Sequence, residues 1–170
     1  MNLISVPKPT MSQRCLTVDP GWNTGWAFWG NNTVAPSATG QYILKNKLRA
    51  KGTRTEDKLN YMFEQFEEVL NDLEPIFLYV EGTELWTTST TSMASASSGN
   101  LFVLTYLIGG YLSMANRYGL LTRLIPANQW KGQLSKTAVQ KRIFRRIGEV
   151  YVTDHIADAV GMGLSLKGEL

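Results

Sequence analysis

The sequence is poor in cysteine, in charge and in long apolar runs, and each shortage closes off a class of protein. One cysteine among 170 residues, Cys15, cannot close an internal disulfide, and its place in an apolar run reads as a buried thiol in a reducing compartment. The longest strongly apolar stretch, Leu101 to Met114, is too short to span a bilayer and contains Gly109 and Gly110. The opening MNLISVPKPTMSQ lacks the apolar core of a signal peptide, so residues 1–13 are expected to be a flexible tail and the protein cytoplasmic. No internal repeat is present. Residues 14–170 are then enough for one domain with a real core and too few for two ordinary ones. A net charge of only +3 does not by itself imply nucleic acid; where the charge lies matters more.

What is there reads as an α/β domain. Cys15 to Val18 predicts a first strand ending at Asp19, Thr24 to Trp29 a second, and Gly40 to Leu44 a third after the turn at Gly30-Asn31-Asn32. A basic segment follows, then a helix over Asp57–Leu73 whose stripe is Leu59, Met62, Phe63, Phe66, Val69, Leu70 and Leu73. Ile76 to Val80 is an unbroken apolar strand, as for a strand covered on both faces, and ends at Glu81. A Ser/Thr-rich loop to Ser98 leads into an apolar helix with Ser97 or Ser98 as its cap, and Leu120 to Ile125 is a fifth strand. Ser135 caps a basic helix ending at Gly148, and Thr153 or Asp154 caps the last one. The order implies a mixed five-stranded sheet flanked by helices, three antiparallel strands followed by two parallel ones.

Ionisable residues gather at three places in this scheme. Asp19 and Glu81 each follow an apolar strand, so parallel neighbouring strands would bring both to one sheet edge. Asp154, His155 and Asp158 crowd the start of the last helix, with His155 and Asp158 on one face. Carboxylates in this number suit Mg²⁺ or Mn²⁺, which take oxygen ligands and phosphate together. Two such ions can activate a water and stabilise the departing oxygen of a phosphodiester. Each residue has a plainer reading: Asp19 as a turn residue before Pro20-Gly21, Glu81 as a solvated strand end, Asp154 as a cap, His155 as structural. The joint pattern favours a metal-dependent nuclease. Between Lys131 and Arg146 lie Lys131, Lys136, Lys141, Arg142, Arg145 and Arg146 without one acidic residue, a run suited to phosphates or to a solvated helix face.

Asp19-Pro20-Gly21 with Thr24-Gly25-Trp26, Glu81 after its strand, and His155-Ile156-Ala157-Asp158-Ala159 together resemble the RuvC-type Holliday-junction resolvases of the RNase H-like nuclease superfamily, over roughly Leu16 to Leu164. The first turn, at Trp22-Asn23, is one residue shorter than in many bacterial members, and the Ser/Thr loop matches poorly. The resemblance implies an RNase H-like fold and a metal site of Asp19, Glu81, His155 and Asp158, with two Mg²⁺ or Mn²⁺ ions. Asp154, one residue before the family's usual position, becomes an outer-shell or capping residue. Lys131, as a catalytic residue, and Lys136 are implied to meet the scissile phosphate or its neighbours, and Trp86 to stack on an unpaired base. Lys141, Arg142 and Arg145 extend the DNA-binding surface. The implied activity is resolution of four-way junctions by a homodimer, in a bacterial or phage-infected cell, with no small-molecule cofactor and no membrane. A broader branched-DNA or flap endonuclease, a non-catalytic branched-DNA-binding protein and an RNase H-like phosphotransferase are the alternatives.

Overall fold

Alternation along the first strand sets the architecture. The structure, a computed structural model, describes residues 13–82 and 100–170. Strand β1 (Cys15–Asp19) sends Leu16 and Val18 into one core and Cys15, Thr17 and Asp19 to the opposite side, as the two-residue period of a strand requires. β2 (Asn23–Trp29) pairs antiparallel with β1, and β3 (Ala38–Ile43) antiparallel with β2. β4 (Phe77–Gly82) lies parallel on the other side of β1, and β5 (Leu121–Pro126) parallel to β4, giving the order β3-β2-β1-β4-β5. The mixed sheet expected from the sequence is therefore present.

The strand ends differ from the sequence reading in a way that matters. Asp19 and Glu81 are still within their strands, opposite Gly25 and Ile125. Their directions are thus fixed by the pleat, not left to a turn. Ile76 is outside β4 and partly exposed, and β3 begins at Ala38 rather than Gly40.

Helices α1 (Thr55–Leu73) and α2 (Asn100–Arg117) cover the Leu16/Val18 face. From the stripe of α1, Met62, Phe66 and Leu70 are fully buried or nearly so, and Phe66 packs on Tyr111 of α2 with ring centroids 4.3 Å apart. On the opposite face lie a single turn α3 (Ala127–Trp130), α4 (Lys136–Ile147) and α5 (Asp154–Leu166), around Trp29, Tyr79, Ile125, Val139, Ile143 and Met162. Ser135 caps α4 by accepting from the Ala138 amide, and Gly148 ends it at φ 75°. Thr153 caps α5 by accepting from the Ile156 amide. Asp154 is therefore the first helical residue and not the cap. The proposed Ser97 or Ser98 cap and the Ser/Thr loop lie outside the described residues. Among the described residues no helix is long and apolar enough to cross a membrane.

Small residues let α5 lie directly on the sheet. The Thr17 hydroxyl donates to the Ala159 carbonyl at 2.8 Å, joining β1 to the helix. A Cβ at Gly25 would collide with the backbone carbonyl of His155, and one at Gly163 would collide with the Trp29 indole. Gly25→Ala is expected to lift the start of α5 from β2, costing about 1–3 kcal/mol as overpacking of a tight core. Urea unfolding of wild type and variant checks it, and a change within experimental error would refute the close packing.

Candidate active site

Three carboxylates converge from β1, β4 and α5. The β1–β4 register pairs Thr17 with Tyr79 and Val18 with Val80, so one further step places Asp19 beside Glu81. Both project to the face that α5 covers. α5 begins over this end of the sheet, and its first five residues include His155 and Asp158. Nδ1 of His155 lies 2.6 Å from Asp19 Oδ2, the carboxylate accepting from the ring N–H. Asp158 is 7% exposed and accepts from the Lys131 ammonium at 3.1 Å.

Glu81 is gripped from the turn after β5. Its Oε2 accepts from the Trp130 indole N–H at 3.0 Å, while Lys131 Nζ stands 3.8 Å from Oε1. Trp130 is 5% exposed and is seated where Gly161 leaves room on α5; a Cβ there would come within 2.8 Å of the indole ring. The same ammonium sits 4.8 Å from the Trp130 ring centroid, a cation–π distance. Sequence reasoning gave Trp130 no role. Its signals were slight: a place after the strand-ending Pro126 and next to Lys131.

Burial sets the titration of this cluster. Desolvation, then the charge of Asp19, pushes the Glu81 carboxyl up to about 7, with Lys131 opposing. Asp19 is also raised, burial outweighing the hydrogen bond from His155. His155 is raised chiefly by its hydrogen bond to Asp19, with burial opposing. Two neighbouring carboxyls displaced upward mark a site in which negative charge is uncomfortable until a cation offsets it.

The donor chemistry suits a hard divalent ion, since three carboxylates supply oxygen and one imidazole supplies nitrogen. Among the described residues no three acidic, histidine or cysteine side chains form a ready-made metal cage. Asp19 is engaged by His155, and Glu81 and Asp158 by Lys131. The charge that a metal would provide is supplied in part by an ammonium.

Asp154 stands apart from this centre. It pairs with Lys136 at 2.9 Å, and that contact holds its carboxyl below the usual range. Both partners are more than half exposed, so the pair contributes little to stability. On α4, Val139 and Ile143 point inward, while Lys141, Arg142, Arg145 and Arg146 are exposed; Arg146 pairs with Glu169. Trp86 lies outside the described residues.

With fold and site in view, the chain has the fold of solved Holliday-junction resolvases. Thermus thermophilus RuvC, solved in complex with a Holliday junction substrate, superposes with a TM-score of 0.68 at 16% identity over 89% of this chain and 91% of that one. A second Thermus thermophilus RuvC structure gives 0.67 at 15%, over 89% and 92%. The yeast mitochondrial Holliday junction resolvase Ydc2 gives 0.62 at 12%, over 93% and 80%. No protein-family model and no curated protein matches the sequence.

Proposed function

We propose that the chain is a metal-dependent, structure-selective endodeoxyribonuclease that resolves four-way DNA junctions by paired nicks. The observation that carries this reading is the convergence of Asp19, Glu81, Asp158 and His155 at one sheet end, on a fold shared with solved resolvases. Those four side chains would hold Mg²⁺ or Mn²⁺, with room in the donor count for two ions. A bound ion would supply the charge that activates water and stabilises the departing 3′-oxygen.

The remaining roles belong to the chain's own residues. Asp19, by accepting from His155, orients the ring at the mouth of the site. The exposed Lys136, Lys141, Arg142 and Arg145 would neutralise backbone phosphates, which makes affinity fall with salt. Such contacts position DNA without reading its sequence. Incubation of labelled four-way junction, flap, Y-fork and linear duplex with protein and Mg²⁺ tests the reading. Paired nicks in the junction support it; an intact junction that is nonetheless bound would sink it. Equal rates on flap and fork would instead favour the broader branched-DNA nuclease.

A homodimer completes the proposal, because a four-way junction presents two opposed strands related by two-fold symmetry. On α2, Phe102 and Tyr106, one turn apart, are 68% and 65% exposed, and on β5 Leu124, on the sheet face that α2 covers, is 44% exposed. Large apolar side chains left in water on neighbouring elements are the mark of an interface. Light scattering after size exclusion is expected to give twice the chain mass. A Phe102→Glu/Tyr106→Glu variant is expected to run as a monomer that nicks without pairing its cuts. A wild-type monomer at micromolar concentration would refute the interface.

A further inference from the structure

Lys131 differs from the other cations around the site in being enclosed by it. Its side chain is 22% exposed, between Glu81 at 18% and Asp158 at 10%, whereas Lys136 and Asp154 are 64% and 53% exposed. The ammonium lies 3.1 Å from Asp158 Oδ2 and 3.8 Å from Glu81 Oε1. It therefore spans the gap between the β4 carboxylate and the α5 carboxylate. A cation in so dry a place offsets much of the repulsion between them.

We infer that Lys131 is a built-in counter-ion, holding Glu81 and Asp158 together while no divalent ion is bound and competing with that ion for the same two carboxylates. The inference rests on the metal-site reading given above. Its physical basis is that an ammonium and a divalent ion require the same oxygens, and charge repulsion forbids both from sitting between them at short range. The two groups that contact Glu81 differ in this respect. The Trp130 indole is neutral, meets the other oxygen at 3.0 Å, and can stay when a metal enters. Lys131 is charged and has a flexible stem, so it can swing outward and remain near the Trp130 ring.

Displacement has a consequence for substrate. A lysine evicted from between two carboxylates needs a new anion, and a DNA phosphate beside the site provides one. DNA would then draw Lys131 away and strengthen metal binding, and by linkage metal would strengthen DNA binding. In the absence of DNA the lysine holds metal affinity down.

Calorimetric titration of Mn²⁺ into DNA-free protein tests this with Lys131→Met and Lys131→Arg. All the proteins are titrated in one buffer at one pH. Removing a competing unit charge a few ångströms from the ion is expected to tighten Mn²⁺ about tenfold in Lys131→Met. Lys131→Arg, which keeps the charge, is expected to stay near wild type. The rise in melting temperature caused by Mn²⁺ should be larger in Lys131→Met, while the metal-free variant melts lower. Lys131→Gln serves in the same titration if the methionine variant does not fold. Unchanged or weaker Mn²⁺ affinity in the neutral variants overturns the inference and leaves the metal site standing. No Mn²⁺ binding by any of the proteins, wild type included, overturns the metal-site reading and this inference with it.

Discussion

Asp158→Asn is expected to bind a four-way junction as wild type does and to cut it at least about a thousandfold more slowly. The substitution conserves shape. An asparagine oxygen can still accept from Lys131, which now bridges to Asp158 at 3.1 Å, so the buried site keeps its hydrogen bond and the fold survives. What disappears is one unit of negative charge among the groups proposed to hold the ion. Loss of a well-placed divalent charge removes several kcal/mol of stabilisation from the developing oxyanion, and about 4 kcal/mol corresponds to a thousandfold in rate. Asp19→Asn is expected to behave alike and also to lose the anionic partner of His155, 2.6 Å away. Gel-shift titration without metal, followed by single-turnover cleavage with Mg²⁺, separates binding from chemistry. Cleavage by either variant within about tenfold of wild type would leave these carboxylates without the role proposed for them.

Glu81→Gln is expected to make the metal-free protein more stable at pH 8 while abolishing cleavage. The glutamate's carboxyl sits at about 7 rather than its ordinary 4.5, because it is buried beside Asp19. Ionising it in the fold is thus harder than in the unfolded chain, by an upper bound of roughly 3 kcal/mol. The sign follows from proton counting. Between about 4.5 and 7 the folded state holds a proton that the unfolded state has released, so wild-type stability declines as pH rises through that window. Glutamine never ionises and escapes the decline. The variant's advantage should therefore be absent below about pH 4.5 and reach about 1–3 kcal/mol above about pH 7. Lys131 and Trp130 both favour the charged form, and their opposition is already contained in the value of about 7. Urea unfolding of both proteins at several pH values measures it. A variant less stable than wild type at pH 8 would mean that Lys131 more than offsets the burial of Glu81. Gain of stability with loss of activity is what a site that tolerates unfavourable charge for function should show.

The pattern of elements was legible in the sequence because each strand and helix carries its own signal. The stripe of α1, the unbroken apolar run of β4 and the Ser135 and Gly148 limits of α4 are local features, set by side-chain period and capping chemistry. The positions of Asp19, Glu81, His155 and Asp158 were legible too, since each falls beside a strand or helix end that the sequence marks. Trp130 was not, because its function depends on a partner 49 positions earlier and on the vacancy at Gly161, and neither relation leaves a periodic trace. The role of Asp154 was open for a related reason. Thr153 and Asp154 are both competent caps, and only the backbone path decides which side chain reaches the Ile156 amide.

By itself, then, the sequence determined the five strands and four long helices, in order, and which ionisable residues stand at their ends, but not the single turn α3. Only the tertiary structure decided that these ends meet. The parallel register of β1 and β4 turns Asp19 and Glu81 to one face. Glycine at position 25 admits the backbone of α5 close enough for His155 to reach Asp19. The turn after β5 sets Trp130 against the β4 carboxylate and Lys131 between the carboxylates of β4 and α5. Local chemistry fixes a residue's conformation, but the charge it faces comes from segments distant in the chain, and that is settled only by packing.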